Sequence, residues 1–263
     1  INHQSTRNQM TSIPGLYAAG DADYQYHGAN RLGANSLLSC IYTGLMMGPG
    51  VNNYLKNLPE AASQLPSSVF ENDEKRWKER FSDISSMKGS QNPYALHSEL
   101  AEAMISNVLI VRDNDKLQST LDVIEDIESR WKDIECVDTQ DWSNPVPSFV
   151  NQLWNMIQLS KIITMGALKR DEFRGSHYKP EFDLNQPDDF DPADYLEYEE
   201  QKANGGVHKD QFAPSHVDYM ERFEKNNEDW LKSSIATYNN GKPAVDFESV
   251  DTSLIAPRPR KYD

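Results

Sequence analysis

The chain has 263 residues, 38% of them hydrophobic, enough for one large or two modest domains with a sizeable core. With 26 Lys and Arg against 41 Asp and Glu, its formal net charge is −15, which argues against a nucleic-acid partner, because neutralising phosphates takes clustered cations that are absent here. No apolar run reaches the roughly 18 residues a bilayer requires, and the opening INHQSTRNQM lacks the basic and apolar regions of a secretory leader. The sequence reads as neither secreted nor membrane-spanning.

Taken in chain order, TSIPGLYAAG at 11–20 gives a Pro-Gly turn and a short apolar run, predicting a buried strand with a turn after it. HGANRLGANSLL at 27–38 sets a histidine, two asparagines and an arginine among small residues, and a helix is expected from Asn35 or Ser36. SLLSCIYTGLMMG is apolar on every side, so that helix is expected inside a large domain and stopped by Pro49-Gly50. Ser68 and Glu71 have capping-box spacing, with Trp77, Phe81 and Ile84 following at helical intervals. Asn92-Pro93 opens a second helix carrying Leu96, Leu100, Ala103, Met104 and Val108 on one face. Asp115 and Lys116 open a third with Leu117, Leu121, Ile124, Ile127, Trp131 and Ile134, and a fourth runs after DWSNPVPS through Phe149, Leu153 and Ile157 to Leu168. Four amphipathic helices on short turns predict an antiparallel bundle.

Beyond Gly175 the periodicity fades. Residues 181–200 hold nine Asp or Glu and no Lys or Arg, with prolines at 187 and 192, which reads as a solvated surface loop. Helix returns at Ser215–Leu231, and SSIATYNNGKPAVDFESV reads as two short strands across an Asn-Asn-Gly turn. Cys40 and Cys136 lie far apart without metal-ligand spacing and read as reduced, buried thiols of a cytosolic protein; no metal site is expected.

The chemistry-bearing stretch is the first. A strand ending at Gly20, an acid at Asp21, a polar loop with Arg31 and a helix N-terminus near Ser36 present a hydrogen-bond acceptor for hydroxyls, a planar donor fork suited to a carboxylate, and free backbone N–H groups. The same residues also suit a structural turn, with Asn35 or Ser36 as N-cap and Arg31 paired to an acid.

IPGLYAAGD followed at a fixed distance by HGANRLGANSLL resembles the flavin- and substrate-binding signature of the flavoprotein subunits of succinate dehydrogenase and fumarate reductase. NDKL at 114–117, WSN at 142–144, RGSHYKP at 174–180 and the tail VDTSLIAPRPRKY extend the resemblance along nearly the whole chain, closest to the form in Gram-positive bacilli. The resemblance implies an α+β, mainly helical fold: the end of a flavin-binding α/β domain at 1–55, a helical bundle at 56–172, and an irregular C-terminal region with short strands at 173–263, holding an acidic insertion at about 183–217. It implies FAD as cofactor, with Gly20, Asp21, Ser36 and Leu37 at the flavin nucleotide and ring, Asp21 standing where the family usually has Glu. It implies that Arg31 grips a carboxylate of succinate or fumarate as the catalytic clamp, with His27 in the same substrate loop. Such a clamp would orient a C–H bond toward the flavin and stabilise charge during transfer. The implied partners are an iron–sulfur subunit, a membrane cytochrome b anchor with quinone, and the upstream part of the flavoprotein; the implied location is peripheral, at the cytoplasmic face of the bacterial inner membrane.

RDEFRGSH at 170–177 stands where the family commonly shows Arg-x-Glu-Ser-Arg-Gly-x-His, so Phe173 replaces a serine while Glu172, Arg174 and His177 remain. That element reads as a polar junction between bundle and flavin domain, with Glu172, Arg174 and His177 supporting the site from behind. The family's GxGxxG motif, flavin-linking histidine and proton-shuttling arginine are not found, so these 263 residues read as a part of such a subunit, inactive alone. L-aspartate oxidase is the near rival, but its loop typically runs RLASNSLLE, against Gly33-Ala34 and Ser39 here. A non-catalytic helical interaction module is the rival from another class.

Overall fold

A computed structural model describes residues 4–23, 27–138, 140, 142–239 and 242–260. Mainly helical with one small antiparallel sheet, the chain forms two compact units, one of Ile1–Asp83 with Arg174–Ser176 and one of Ile84–Phe173 with His177–Asp263. The division falls near the end of the second helix and assigns three residues of the RDEFRGSH element to the first unit.

In the first unit, α1 (Asn35–Lys56) is the main element. The predicted strand at 11–20 does not form: Met10 and Tyr17 make a single antiparallel bridge, Ile13 and Leu16 are exposed, and Gly20–Ala22 is one turn of 3₁₀ helix. Tyr17 ties this segment to α1, its hydroxyl donating to Thr6 O at 3.0 Å and Gly50 O at 3.4 Å. α1 also runs through Pro49, which costs one backbone hydrogen bond without ending the helix. Thr43, Met46 and Gly50 are its buried residues, whereas Leu37, Leu38, Ile41 and Leu45 are exposed, so the all-round apolar sequence is covered on one face only.

α2 (Ser67–Ser85) begins before Ser68, which therefore lies inside its first turn and is not its cap. Val69, Phe70 and Trp77 are exposed, Phe81 sits at the margin, and only Ile84 is buried; ion pairs such as Lys78–Glu74 at 2.5 Å line the helix. The bundle is accordingly built of three helices plus the end of α2. α3 (Pro93–Asn107) starts on an Asn92 cap that accepts from Tyr94 N at 2.9 Å, and α4 (Asn114–Arg130) on Asp113, which accepts from Lys116 N at 3.0 Å. α5 (Val146–Lys169) completes it. Leu96, Leu100, Ile124, Ile127, Val150, Leu153 and Ile157 meet with Ile84 in one core, and Trp131 donates its indole N–H to Val150 O at 3.0 Å.

The acidic segment folds. Asp191 caps α6 (Pro192–Ala203) by accepting from Ala193 N at 2.8 Å, and α7 (Pro214–Trp230) follows. Phe190, Tyr195, Tyr198, Phe212, Val217, Tyr219, Met220 and Phe223 form a second core, so residues 181–200 are not a solvated loop. The carboxylates ride on the outside of an aromatic-rich pair of helices, where a count of charges hides the buried rings. β1 (Lys232–Asn239) and β2 (Lys242–Ser249) pair antiparallel, Lys232 opposite Ser249 and Asn239 opposite Lys242, and lie on α5; the tip of the predicted Asn-Asn-Gly turn falls outside the described residues. Cys40 and Cys136 are free; Cys136 is buried, which pushes its thiol pKa up, while Cys40 is only partly covered. Among the described residues no helix is long and apolar enough to cross a membrane, and no three potential ligands gather as a metal site.

Because Phe190 is fully buried at the centre of the second core, Phe190→Ala should lower the free energy of unfolding by about 3–5 kcal/mol. Urea titration followed by tryptophan fluorescence checks this, and a change below about 1 kcal/mol would restore the surface-loop reading.

Candidate functional site

The N-terminal part of α1 brings together Gly20, His27, Ser36 and Leu37 among the residues singled out in the sequence. Ala34, at φ +65°, precedes the helix and provides no side-chain cap, so N–H groups of the first turn are left without the usual oxygen partner. Gly20 lies against this helix: its N–H donates to Thr43 Oγ1 at 3.1 Å, its φ is +69°, and a Cβ there would stand 3.1 Å from Cys40 Sγ. Asp21 follows in the 3₁₀ turn with its side chain exposed. His27 Nε2 meets Ser39 Oγ at 3.1 Å, and Ser39 in turn donates to Ser36 O at 2.8 Å, which fixes the imidazole on the second turn.

Arg31 stands in the loop between His27 and α1. It is exposed, and among the described residues neither its guanidinium nor the Asp21 carboxylate makes a hydrogen bond or ion pair. The structural alternative, a turn with Arg31 salt-bridged to an acid and Asn35 or Ser36 as N-cap, is therefore not what forms. The charge stays solvated, so no burial cost is incurred until an anion arrives. What fixes the loop is backbone: Ser176 donates to Ala29 O from its N–H at 3.2 Å and from Oγ at 3.1 Å. Sequence reading missed Ser39, Thr43, Gly175 and Ser176. The i,i+3 spacing of Ser36 and Ser39 was a usable signal; the approach of residue 176 to residue 29 left none.

Glu172 and His177 are engaged elsewhere, in the second unit. Glu172 is completely buried, bound to Arg170 Nη1 at 2.5 Å and Asn226 Nδ2 at 3.2 Å. His177 accepts at Nδ1 from Arg112 Nη1 at 2.6 Å and donates from Nε2 to Arg170 O at 2.8 Å, the arrangement of a neutral imidazole. Burial, with help from the Arg112 and Lys179 charges, holds its pKa down at about 4. Arg174 belongs with the first unit.

Residues 97–262 match the family model described as fumarate reductase flavoprotein C-term. The chain belongs to this family. Residues 1–37 match the FAD binding domain model, which spans Gly20, Asp21, His27, Arg31, Ser36 and Leu37. The succinate dehydrogenase flavoprotein subunit of Bacillus subtilis is 42% identical over 97% of this chain and 37% of its own length. The 8-methylmenaquinol:fumarate reductase flavoprotein subunit of Wolinella succinogenes is 29% identical over 79% of this chain and 33% of its own. The chain thus spans about a third of the length of these relatives. An Escherichia coli quinol fumarate reductase shares the fold at a TM-score of 0.72 and 20% identity, over 97% of this chain and 36% of its own. The Mycobacterium smegmatis Sdh1 complex in its apo form matches at a TM-score of 0.58 and 29% identity, over 66% of this chain and 28% of its own.

The donor set fits a flavin nucleotide: an exposed carboxylate for hydroxyls, uncapped amides at the start of α1, and apolar Leu37 and Leu38 exposed beside them.

His177 gives a pH test with a defined sign. Its folded pKa lies below the ordinary value of 6.5, so its neutral form contributes stability that is complete above pH 6.5 and lost as pH falls toward about 4. The stability difference between wild type and His177→Gln should shrink by up to about 3 kcal/mol from pH 7 to pH 4, as read by urea unfolding at each pH. A constant difference would show that His177 is not held neutral.

Proposed function

We propose that this chain is the C-terminal part of a flavoprotein that interconverts succinate and fumarate, with electrons passing through an iron–sulfur subunit and a membrane anchor to quinone. The observation that carries the reading is Arg31: an exposed guanidinium, without a partner among the described residues, on a loop whose backbone is pinned nearby. Its planar fork matches a carboxylate at two points and fixes the dicarboxylate's orientation. The uncapped amides of Ser36 and Leu37 bind the flavin ring, Asp21 its hydroxyls, and His27, held by Ser39, belongs to the substrate loop. FAD, when bound, supplies the hydride acceptor or donor. The protein sits peripherally at the cytoplasmic face of the membrane, held there by its partner subunits. Support over an L-aspartate oxidase comes from the match at residues 97–262 and from relatives named as succinate dehydrogenase and fumarate reductase subunits.

Charge builds on the dicarboxylate as proton and hydride depart, so Arg31 should stabilise the transition state more than the bound substrate. In the complete flavoprotein Arg31→Lys should lower kcat/KM at least about a hundredfold, about 2.7 kcal/mol, with flavin content unchanged. Arg31→Ala should cost more and weaken inhibition by malonate. Steady-state assays normalised to flavin decide the matter, and near-wild-type turnover per flavin in Arg31→Ala would sink the assignment.

A further inference from the structure

Arg31 has no side-chain partner among the described residues, so its aim depends on the backbone of the loop that carries it. That loop contains Gly28, at φ +57°, and Gly33, and it has no regular structure before α1. Two residues before Arg31, the carbonyl of Ala29 receives two hydrogen bonds from one residue far along the chain, Ser176, through its N–H at 3.2 Å and its Oγ at 3.1 Å. The neighbouring Gly175 makes the approach possible. Its φ is +59°, and a Cβ there would lie 2.5 Å from Ala29 O and 2.7 Å from Ala29 C, closer than any side chain tolerates.

We infer that Gly175 and Ser176 are positioning residues for the substrate clamp, holding the Ala29 carbonyl so that Arg31 is aimed before a dicarboxylate arrives. The inference rests on the assignment of Arg31 made above. A donor fork must be held to within about 0.5 Å to engage both oxygens of a carboxylate. A loop with two glycines and no side-chain anchor on its arginine loses that precision once its carbonyl is released, and binding must then fix the loop as well as the ligand.

The test uses the flavin-loaded complete flavoprotein with Ser176→Ala, Ser176→Thr, Gly175→Ala and, as reference, Arg31→Ala. Flavin content, thermal midpoint, malonate Kd from the flavin difference spectrum and from malonate-induced thermal stabilisation, and KM and kcat are measured on each. Ser176→Ala removes one of two solvent-accessible hydrogen bonds and should raise the malonate Kd and the KM about three- to tenfold, with kcat within about twofold and flavin content unchanged. Ser176→Thr, which keeps the hydroxyl, should restore both. Gly175→Ala should raise them more than about tenfold; if it does not fold, the Ser176 pair carries the test. Malonate Kd and KM within twofold of wild type in Ser176→Ala, or a loss that threonine does not restore, overturns the inference while a malonate-blind Arg31→Ala leaves the clamp standing. Normal malonate binding by Arg31→Ala overturns both.

Discussion

One guanidinium organises the second unit. Arg170, just past the end of α5, reaches Glu172 Oε1 at 2.5 Å, Trp230 O at 2.9 Å, Lys232 O at 2.6 Å and Ser234 Oγ at 3.2 Å, and lies over the rings of Trp230 and Phe247. A buried ion pair alone roughly breaks even against its desolvation. Here the guanidinium donates to four acceptors and stacks on two rings, and the far Glu172 oxygen is held by Asn226, so both charges are well supplied with partners. Those partners come from the end of α7 and the start of β1, while Lys169 donates to Val245 O at 2.7 Å on β2. The helix pair, the hairpin and α5 are joined through two adjacent cations at a helix C-terminus, the end where positive charge is favoured.

The same segment serves two ends within eight residues. Arg170 and Glu172 are committed to the second unit, Arg174–Ser176 lie with the first, and His177 returns to Arg112 and to the Arg170 carbonyl. Alternating large charged residues with Gly175 and Ser176 lets the chain saturate a buried cation and, a few residues later, bring backbone against Ala29. Phe173 packs on Tyr178 at 4.9 Å, filling with an apolar contact a position where the family more often has a hydroxyl.

How much of this was legible in the sequence follows from which forces are local. Asn92-Pro93 and the 3.6-residue spacing of Leu96, Leu100, Ile124 and Ile127 announced α3 and α4, because caps and amphipathic stripes are written within one helix. The failures share a cause too. Phe190, Tyr195, Tyr198 and Phe223 bury one another inside a segment whose charge density reads as loop, and the exposure of Leu37, Ile41, Trp77 and Leu45 depends on what lies opposite them. At the candidate site, the residue types were readable from Asp21 to Leu37, and the resemblance gave them roles. That Arg31 has no partner among the described residues was not readable, because a local pattern cannot show whether an acid from a distant segment approaches.

Two histidines, the half-buried His177 and the buried His216, show the same dependence on distant charge, with opposite signs. His177 sits among Arg112 and Lys179 and is kept neutral. At the head of α7, His216 is also buried, which opposes its charge, but Asp194 Oδ2 at 2.7 Å and Asp189 Oδ1 at 3.3 Å outweigh that and raise its pKa. A raised folded pKa contributes stability that is full below the unfolded value of 6.5 and is lost as pH rises through the folded value. His216 therefore reaches its full contribution once pH has fallen to about 6.5, and His177 gives up its own only below that, so the two act in adjoining pH windows. Together they place the histidines' combined contribution at its maximum near pH 6.5. His216 takes its proton this readily because the acidic segment, with its aromatic rings within, brings the Asp194 and Asp189 carboxylates against it.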